Sequence, residues 1–354
     1  MAKKLAFMGA GAVGSFVGGW LADAGHDVTL IDPWPEHIEA IKRDGIKISG
    51  TQGEKTALPR ALHLHEVQSL AKDPVDIAFV CTKSYDTVWA TTMISQYLAP
   101  GAFIVSLQNS INEERIAGVV GWGRVIGCIA SSISVNAFKA GHVVRTVQPG
   151  GPGYTVFRVG EPHGRITPRV EELAQMLSVI DSAKATPNLW GERWSKLVIN
   201  SMGNGVSAVT GMTSKECAGN SEARRLTIQL AGEAIAVGRA HGFDLEEIQG
   251  VEPEKWIAAS TGSASALKEL EDGIAGRVAR MTDDGKPSTA QDIDKGRRTE
   301  IDFLNGLVVE KGQEAGVLAP THAALVSVVH DVERGELEPA PRLVDEVWRL
   351  AGRG

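Results

Sequence analysis

A chain of 354 residues has room for two domains with separate cores, and 43% hydrophobic and 22% charged residues are ordinary for a globular enzyme. A net charge of −7 without any Lys/Arg-rich run excludes nucleic acid and anionic membrane as main partners, and no run of about 18 apolar residues predicts a membrane span. Cys81, Cys128 and Cys217 lie too far apart for a metal-ligand or disulfide framework, so the expectation is a reduced, cytoplasmic protein with no metal site.

The first element is a short apolar strand, Leu5 to Met8, running into GAGAVG (Gly9 to Gly14) and then a helix to about Ala24. The two lysines and apolar run of this stretch also fit a signal peptide. The glycine spacing and the lack of a clear cleavage site argue against that. A strand at Val28–Ile31, a helix at Pro35–Asp44 and a short strand at Ile46–Ser49 follow. Val75–Cys81 and Phe103–Leu107 are further buried-strand runs, with helical sequence from Thr87 between them. Apolar strands alternating with helices predict a Rossmann-type, doubly wound parallel sheet covered on both faces. After Gly123 come expected strands at Val125–Ile133, His142–Val147 and Tyr154–Val159, a helix at Arg169–Val179 and a strand at Ala183–Ala185. From Trp190 the pattern is helical, which places an N-terminal dinucleotide domain at 1–187 and an all-helical domain at 188–354.

GAGAVG has the form G-x-G-x-x-G between the first strand and first helix. There Gly9 permits the tight turn, Gly11 admits a pyrophosphate, Gly14 lets helix and strand pack, and the N–H groups from Ala12 and Val13 onward face the phosphates. Asp32 closes the second strand, where a carboxylate accepts from adenosine ribose hydroxyls and repels a 2′-phosphate. With no basic residue before Lys42, NAD is favoured over NADP; the alternative is that Asp32 only caps the turn into Pro33. Lys83 in CTKSYD and Asn109 in SLQNS stand just past the carboxyl ends of two buried strands, where ligands of such folds bind.

WSKLVINSMGNGVS (Trp194 to Ser207) is an unusual helix. At 100° per residue, Lys196, Asn200, Gly203, Asn204 and Ser207 share a stripe about 100° wide, and Leu197, Val198, Ile199, Met202 and Val206 hold the rest. One lysine among amides and glycine is not a solvated face, so the stripe is expected to line an enclosed cleft. In Ser288 to Gly306, read as one helix, Glu300 lies within about 60° of Ile293, Phe303, Leu304 and Leu307. A carboxylate on an apolar face must be paired or functional, and an ion pair with Arg297 or Arg298 is the structural alternative.

Together these residues resemble the ketopantoate reductase (2-dehydropantoate 2-reductase) family: the glycine motif, Thr82–Lys83, Gln108–Asn109, KLVIN at Lys196–Asn200, and QD…GRRTEID..NG from Gln291 to Gly306. The resemblance implies an NAD(P)-dependent oxidoreductase acting on a 2-oxo acid or 2-hydroxy acid, a small-molecule partner and a homodimer. It implies Lys196 as general acid and base, Asn200 and Asn204 at the substrate, Ser288 and Glu300 holding it, and Lys83 and Asn109 at the cofactor–substrate junction. Several positions depart from the family. Asp32 stands where a basic residue for NADP is common, QNS replaces QNG, Ser214 replaces a common asparagine and His322 a frequent proline. The Phe243–Lys286 segment is also long. The alternatives are a catabolic NAD-dependent dehydrogenase of another hydroxy compound, an opine-type or 3-hydroxy acid dehydrogenase, and a non-catalytic dinucleotide sensor. The last would not need Lys196 and Glu300 together.

Overall fold

The computed structural model describes residues 3–150, 154–278 and 285–352, in two compact units, Met1–Leu189 and Trp190–Gly354. In the first unit the strands are β1 (Lys4–Met8), β2 (Asp27–Asp32), β3 (Ile46–Gly50), β4 (Lys55–Ala57), β5 (Arg60–His63), β6 (Val75–Val80), β7 (Leu98–Ser106), β8 (Val125–Ala130), β9 (Val135–Lys139), β10 (His142–Arg145), β11 (Phe157–Gly160) and β12 (Ala183–Ala185). Helices α1 (Ala12–Asp23), α2 (Pro35–Asp44), α3 (Thr87–Ser95), α4 (Glu113–Val120) and α5 (Pro168–Leu177) alternate with them.

Eight of these strands form one sheet in the order β12-β11-β8-β7-β6-β1-β2-β5, parallel except where β11 meets β8. Alternate residues of β1 feed the two faces. Leu5 and Phe7 pack in one apolar cluster with Phe16, Val17 and Leu30, while Ala6 and Met8 join Ile31, Ala90, Ile94 and Ile116 in the other. Phe7 stacks on its cross-strand partner Phe79 with ring centroids 4.4 Å apart. Burial on both faces explains why these strands read as continuous apolar runs. Helix α2 shows how local sequence sets an element: Pro35 and Glu36 open it, Lys42 and Arg43 complement the dipole of its last turn, and Gly45 (φ 79°) stops it.

The runs at Ile46 and His142 do not extend the main sheet. β3 pairs in parallel with β10 in a second sheet of order β4-β3-β10-β9. Strands β4, β5 and β9, which the sequence pattern did not single out, complete the two sheets. The buried Arg145 guanidinium anchors β10, reaching Asp181 at 2.6 Å and Gln52 at 2.8 Å, and the N–H of Gly150 donates to Asp181 at 3.1 Å. These further hydrogen bonds offset part of the desolvation of the buried pair, although Arg145 Nε itself has no partner.

The second unit contains α6 (Leu189–Thr210), α7 (Ser214–Gly219), α8 (Ser221–Ala240), α9 (Pro253–Ser260), α10 (Ala264–Arg277), α11 (Ser288–Asp294), α12 (Ile301–Ala315), α13 (Pro320–Glu333) and α14 (Leu343–Leu350). Among the described residues its only β feature is a bridge between Ile248 and Val251. Helix α8 is packed by α7, α9, α10, α12, α13 and α14. The long 243–286 segment supplies α9 and α10; its residues 279–284 lie outside the described residues. Ser288 to Gly306 is not one helix. α11 ends at Asp294, Gly296 turns with φ 60°, and α12 begins after Glu300, so Ile293 and Glu300 belong to different elements. The apolar spacing ran on through a turn that Gly296 permits.

Polar groups fix how α6, α8, α12 and α13 pack. Asn305 Nδ2 donates to the Ser201 carbonyl at 2.8 Å and to His322 Nδ1 at 3.0 Å, which leaves His322 Nε2 to donate to the Leu230 carbonyl at 2.9 Å. Glu233 lies at the α13 N-terminus, accepting from Thr321 Oγ1 at 2.6 Å and from the Thr321 N–H at 3.1 Å. Burial lowers the His322 pKa, and the Glu233 charge opposes this only in part. The unfolded histidine therefore binds a proton more readily than the folded one. The stabilisation is complete above the ordinary histidine pKa of about 6.5 and is lost as pH falls from there through the lowered folded value. His322→Gln keeps an acceptor and a donor without the titration. Its melting temperature should fall less between pH 7 and pH 5 than that of the parent protein, as read by thermal melts across that range.

Candidate active site

The glycine turn builds the dinucleotide half. Gly9 adopts φ 98° at the end of β1, and its N–H donates to the Ile31 carbonyl at 2.9 Å. A Cβ on Gly14 would lie 2.0 Å from the Gly9 oxygen, so only glycine lets α1 start this close to the strand. Around Gly11 a Cβ would meet nothing within 4 Å, and no acidic side chain occupies the first turn of α1. An open backbone cradle at a helix N-terminus, with Ala12 and Val13 opening the helix, fits a pyrophosphate.

A supporting chain that the sequence did not signal holds this turn. Ser15 Oγ donates to the Ala10 carbonyl at 2.6 Å and accepts from His37 Nε2 at 2.9 Å, while His37 Nδ1 accepts from the Gly141 N–H at 2.9 Å. Burial lowers the His37 pKa, as this neutral, one-donor role requires. The three residues are 22 and 104 positions apart, so no local pattern could link them.

Asp32 is buried at the end of β2, and its Oδ1 accepts from the Trp34 N–H at 2.9 Å, the turn-capping contact. Burial raises its pKa, and the backbone N–H groups of Trp34 and Ala10 act against that rise. Capping thus occupies one acceptor direction of a carboxylate that has about four. Lys83 caps a short 3-10 turn (Ser84–Asp86) beyond β6, and Asn109 is half-buried beyond β7. Gln108 Nε2 donates to the Thr82 carbonyl at 2.8 Å and to Thr87 Oγ1 at 2.9 Å, and Asn112 Nδ2 donates to the Asn109 carbonyl at 2.9 Å, so each segment is tied to its neighbour. Ser110 has φ 67°, a left-handed conformation costing a non-glycine residue roughly 1–2 kcal/mol, which explains why glycine suits this position.

The second unit carries the other set. Along α6, Lys196, Asn200, Gly203 and Asn204 are partly accessible, whereas Trp194, Leu197, Val198, Met202 and Val206 are buried. Two residues differ from the expected pattern. Ile199 lies beside the stripe at 40% exposure instead of on the packed side, and Ser207 is buried with its Oγ donating to the Met212 carbonyl at 2.5 Å. A Cβ on Gly205 would press on Leu325 at 2.8 Å, but one on Gly203 would meet nothing within 4 Å, so helix packing accounts for the first glycine only. Ser288 opens α11 half-buried, and Glu300 is 5% exposed at the N-cap of α12. Arg298, one of the ion-pair candidates for Glu300, reaches Asp302 at 3.7 Å. Ser214 begins α7, its N–H donating to the Gly285 carbonyl at 2.9 Å. A cavity of about 490 Å³ lined by Ile293, Arg297, Arg298, Val332, Glu333 and Arg334 contains none of the expected site residues. Among the described residues no cluster of three or more His, Cys, Asp or Glu is placed to hold a metal, and no helix is long and apolar enough to cross a membrane.

The family model described as ketopantoate reductase PanE/ApbA matches residues 5–159, and its C-terminal counterpart matches residues 188–333. The chain belongs to the ketopantoate reductase family. It is 28% identical to a 2-dehydropantoate 2-reductase of Archaeoglobus fulgidus over 94% of this chain and 99% of the relative. A crystal structure of a PanE/ApbA family ketopantoate reductase from Ralstonia eutropha JMP134 superposes with a TM-score of 0.76 at 26% identity, covering 94% of this chain and 99% of that one. The ternary structure of D-mandelate dehydrogenase with NADH and anilino(oxo)acetate shares the fold, with a TM-score of 0.78 at 23% identity over 94% and 98% of the two chains. This ketopantoate reductase family member is thus an oxidoreductase acting on CH–OH groups with a nicotinamide cofactor.

The glycine geometry separates two variants. Gly14→Ala forces Cβ into the Gly9 carbonyl and should lower stability by about 1–3 kcal/mol. Gly11→Ala meets no protein atom, so it should melt like the parent while weakening NADH binding at least about tenfold. Melting curves and NADH fluorescence titration of both variants check this.

Proposed function

We propose that this ketopantoate reductase family member interconverts a 2-oxo acid and its 2-hydroxy acid, with Lys196 as general acid and base and NAD(H) as the preferred cofactor. One observation carries the reading: Lys196 heads an accessible stripe of Asn200, Gly203 and Asn204 on a helix whose remaining circumference is mostly packed. A bound nicotinamide would supply hydride to the carbonyl carbon, or take it up in the reverse direction. Charge then develops on the substrate oxygen, where the Lys196 ammonium donates a hydrogen bond and its proton; in oxidation, neutral Lys196 takes the alcohol proton. Asn200 and Asn204 can each donate and accept, which suits a substrate bearing both hydroxyl and carboxylate. Ser288 donates to the carboxylate, and Glu300 holds a substrate hydroxyl. The resemblance assigns Asn109 and Lys83, on segments at the strand ends, to the cofactor–substrate junction. Gly11, Ala12 and Val13 would hold the pyrophosphate on their backbone N–H groups. The Archaeoglobus relative is a 2-dehydropantoate 2-reductase, which makes 2-dehydropantoate the first compound to assay, within a screen of 2-oxo and 2-hydroxy acids with NAD(H) and NADP(H).

Lys196→Ala should lower kcat by about 10²- to 10⁴-fold while NADH affinity stays within a fewfold of the parent. Steady-state rates beside a binding titration test this, and a variant keeping a tenth of the parental kcat removes Lys196 from the role.

Asp32 underlies the cofactor choice. Ribose hydroxyls supply donors to a buried carboxylate with acceptor directions to spare, whereas a 2′-phosphate brings like charge to the same spot. At about 1–2 kcal/mol for each effect, NAD(H) should be preferred about ten- to a thousandfold in kcat/KM. Asp32→Ser with Pro33→Arg should shrink that ratio by removing the repulsion and adding a phosphate partner. Equal or better kcat/KM with NADP(H) in the parent enzyme overturns the assignment.

A further inference from the structure

Glu333 ends α13, where the helix dipole disfavours a carboxylate. Its environment explains it. Oε1 accepts from the backbone N–H of Thr299 at 2.6 Å, a residue 34 positions away and 1% exposed. Oε2 faces His330 Nδ1 at 3.2 Å, and the other ring nitrogen, Nε2, meets Asp302 Oδ1 at 2.8 Å. Asp302 in turn lies within 3.7 Å of Arg298. These contacts close a ring around one short segment: Thr299 on one side of Glu300, Asp302 on the other, and α13 behind both. Glu300 occupies the N-cap of α12 without a side-chain cap bond. The side-chain cap comes from Thr299, whose Oγ1 accepts from the Ile301 N–H at 3.2 Å, and Glu333 holds the Thr299 N–H behind it. The backbone at Glu300 has φ −99° and ψ 22°, outside the helix; its carbonyl is held by the Phe303 N–H at 2.9 Å and the Leu304 N–H at 3.0 Å of α12, and the Thr299 contacts hold the chain on its amide side.

We propose that Glu333 is a positioning residue, which, held by His330 and Asp302, clamps the Thr299–Glu300 backbone and thereby aims the Glu300 carboxylate at the substrate. The inference rests on the reading of Glu300 as a substrate-holding residue. A carboxylate rooted at a non-helical N-cap swings with its backbone, and misplacement of a positioned group by about 1 Å is enough to cost up to 10²-fold in rate. The clamp joins α13 to the α12 N-terminus through a charged acceptor on a backbone donor, one of the stronger hydrogen-bond types.

The full-length enzyme tests this with Glu300→Gln, Glu333→Ala, Glu333→Gln and the double variant Glu300→Gln/Glu333→Ala. The substrate is 2-dehydropantoate or the best compound of the screen above. Hydrogen exchange at the Thr299 amide reports the clamp without turnover. Glu333→Ala should raise KM or lower kcat/KM about tenfold, leave NADH affinity within about twofold, and speed exchange at Thr299 at least about tenfold. Glu333→Gln, which keeps an acceptor for the Thr299 N–H, should recover most of the loss. The double variant should be no worse than Glu300→Gln alone, because two residues acting through one group are not additive. Unchanged kinetics in Glu333→Ala, additive losses in the double variant, or unchanged exchange at Thr299 each overturn the proposal. Normal kinetics in Glu300→Gln remove the reading of Glu300 and this inference together; an impaired Glu300→Gln beside a normal Glu333→Ala removes the inference alone. Should Glu333→Ala fail to fold, His330→Gln loosens the same carboxylate from its other oxygen and is read by the same cycle.

Discussion

The approach of α1 to β1 is the constraint on which the first unit depends. Gly14 sits so close to the Gly9 carbonyl that any side chain there would collide with it, and this contact starts α1 directly at the strand end. Its amide groups are thereby exposed beside the carboxyl ends of the parallel strands, the edge where Asp32, Lys83 and Asn109 also emerge. The sheet delivers these residues side by side because β2, β1, β6 and β7 are neighbours in it, although the chain separates them by tens of residues. The polar chain through Ser15, His37 and Gly141 then holds the turn from behind, tying it to the loop between β9 and β10.

The helical unit relies on buried polar contacts for its register. Apolar packing alone tolerates sliding of one helix along another, whereas a buried donor has to meet its acceptor or remain unsatisfied at a cost of about 1–3 kcal/mol. Asn305 bonds both the α6 backbone and His322 on α13, and Glu233 joins α8 to the start of α13. The α6 stripe is therefore presented by a helix whose hidden side is pinned at Ser201, between Asn200 and Asn204 in the chain.

Departures from family habit have physical counterparts here. His322, in place of a frequent proline, is buried and hydrogen-bonded through both ring nitrogens, so it joins the packing instead of merely opening a helix. Ser110 keeps the left-handed backbone for which the usual glycine is suited. The long 243–286 segment folds into α9 and α10, and α9 packs along α8. None of these changes removes a residue of the α6 stripe or of the glycine turn. They bear on packing and on local backbone conformation.

Period and punctuation in the sequence determined the fold class, the glycine turn, α2 to the residue, and the polar stripe of α6, because each depends on residues within a few turns of one another. The tertiary structure decided what local spacing cannot express. It sent the strands at Ile46 and His142 into a second sheet, since pairing partners nearly a hundred residues apart leave no periodic signal. It broke Ser288–Gly306 at Gly296, where apolar spacing continued through a turn, and so made Glu300 a helix cap instead of a residue on one long face. It exposed Ile199 and buried Ser207, because the width of an accessible stripe is set by which neighbouring helices cover its edges. The supports of the site, His37 behind the glycine turn and Glu333 behind Glu300, belong to the same class. Each is a single polar side chain recruited across long sequence separation, and only the folded chain brings it to the group it holds.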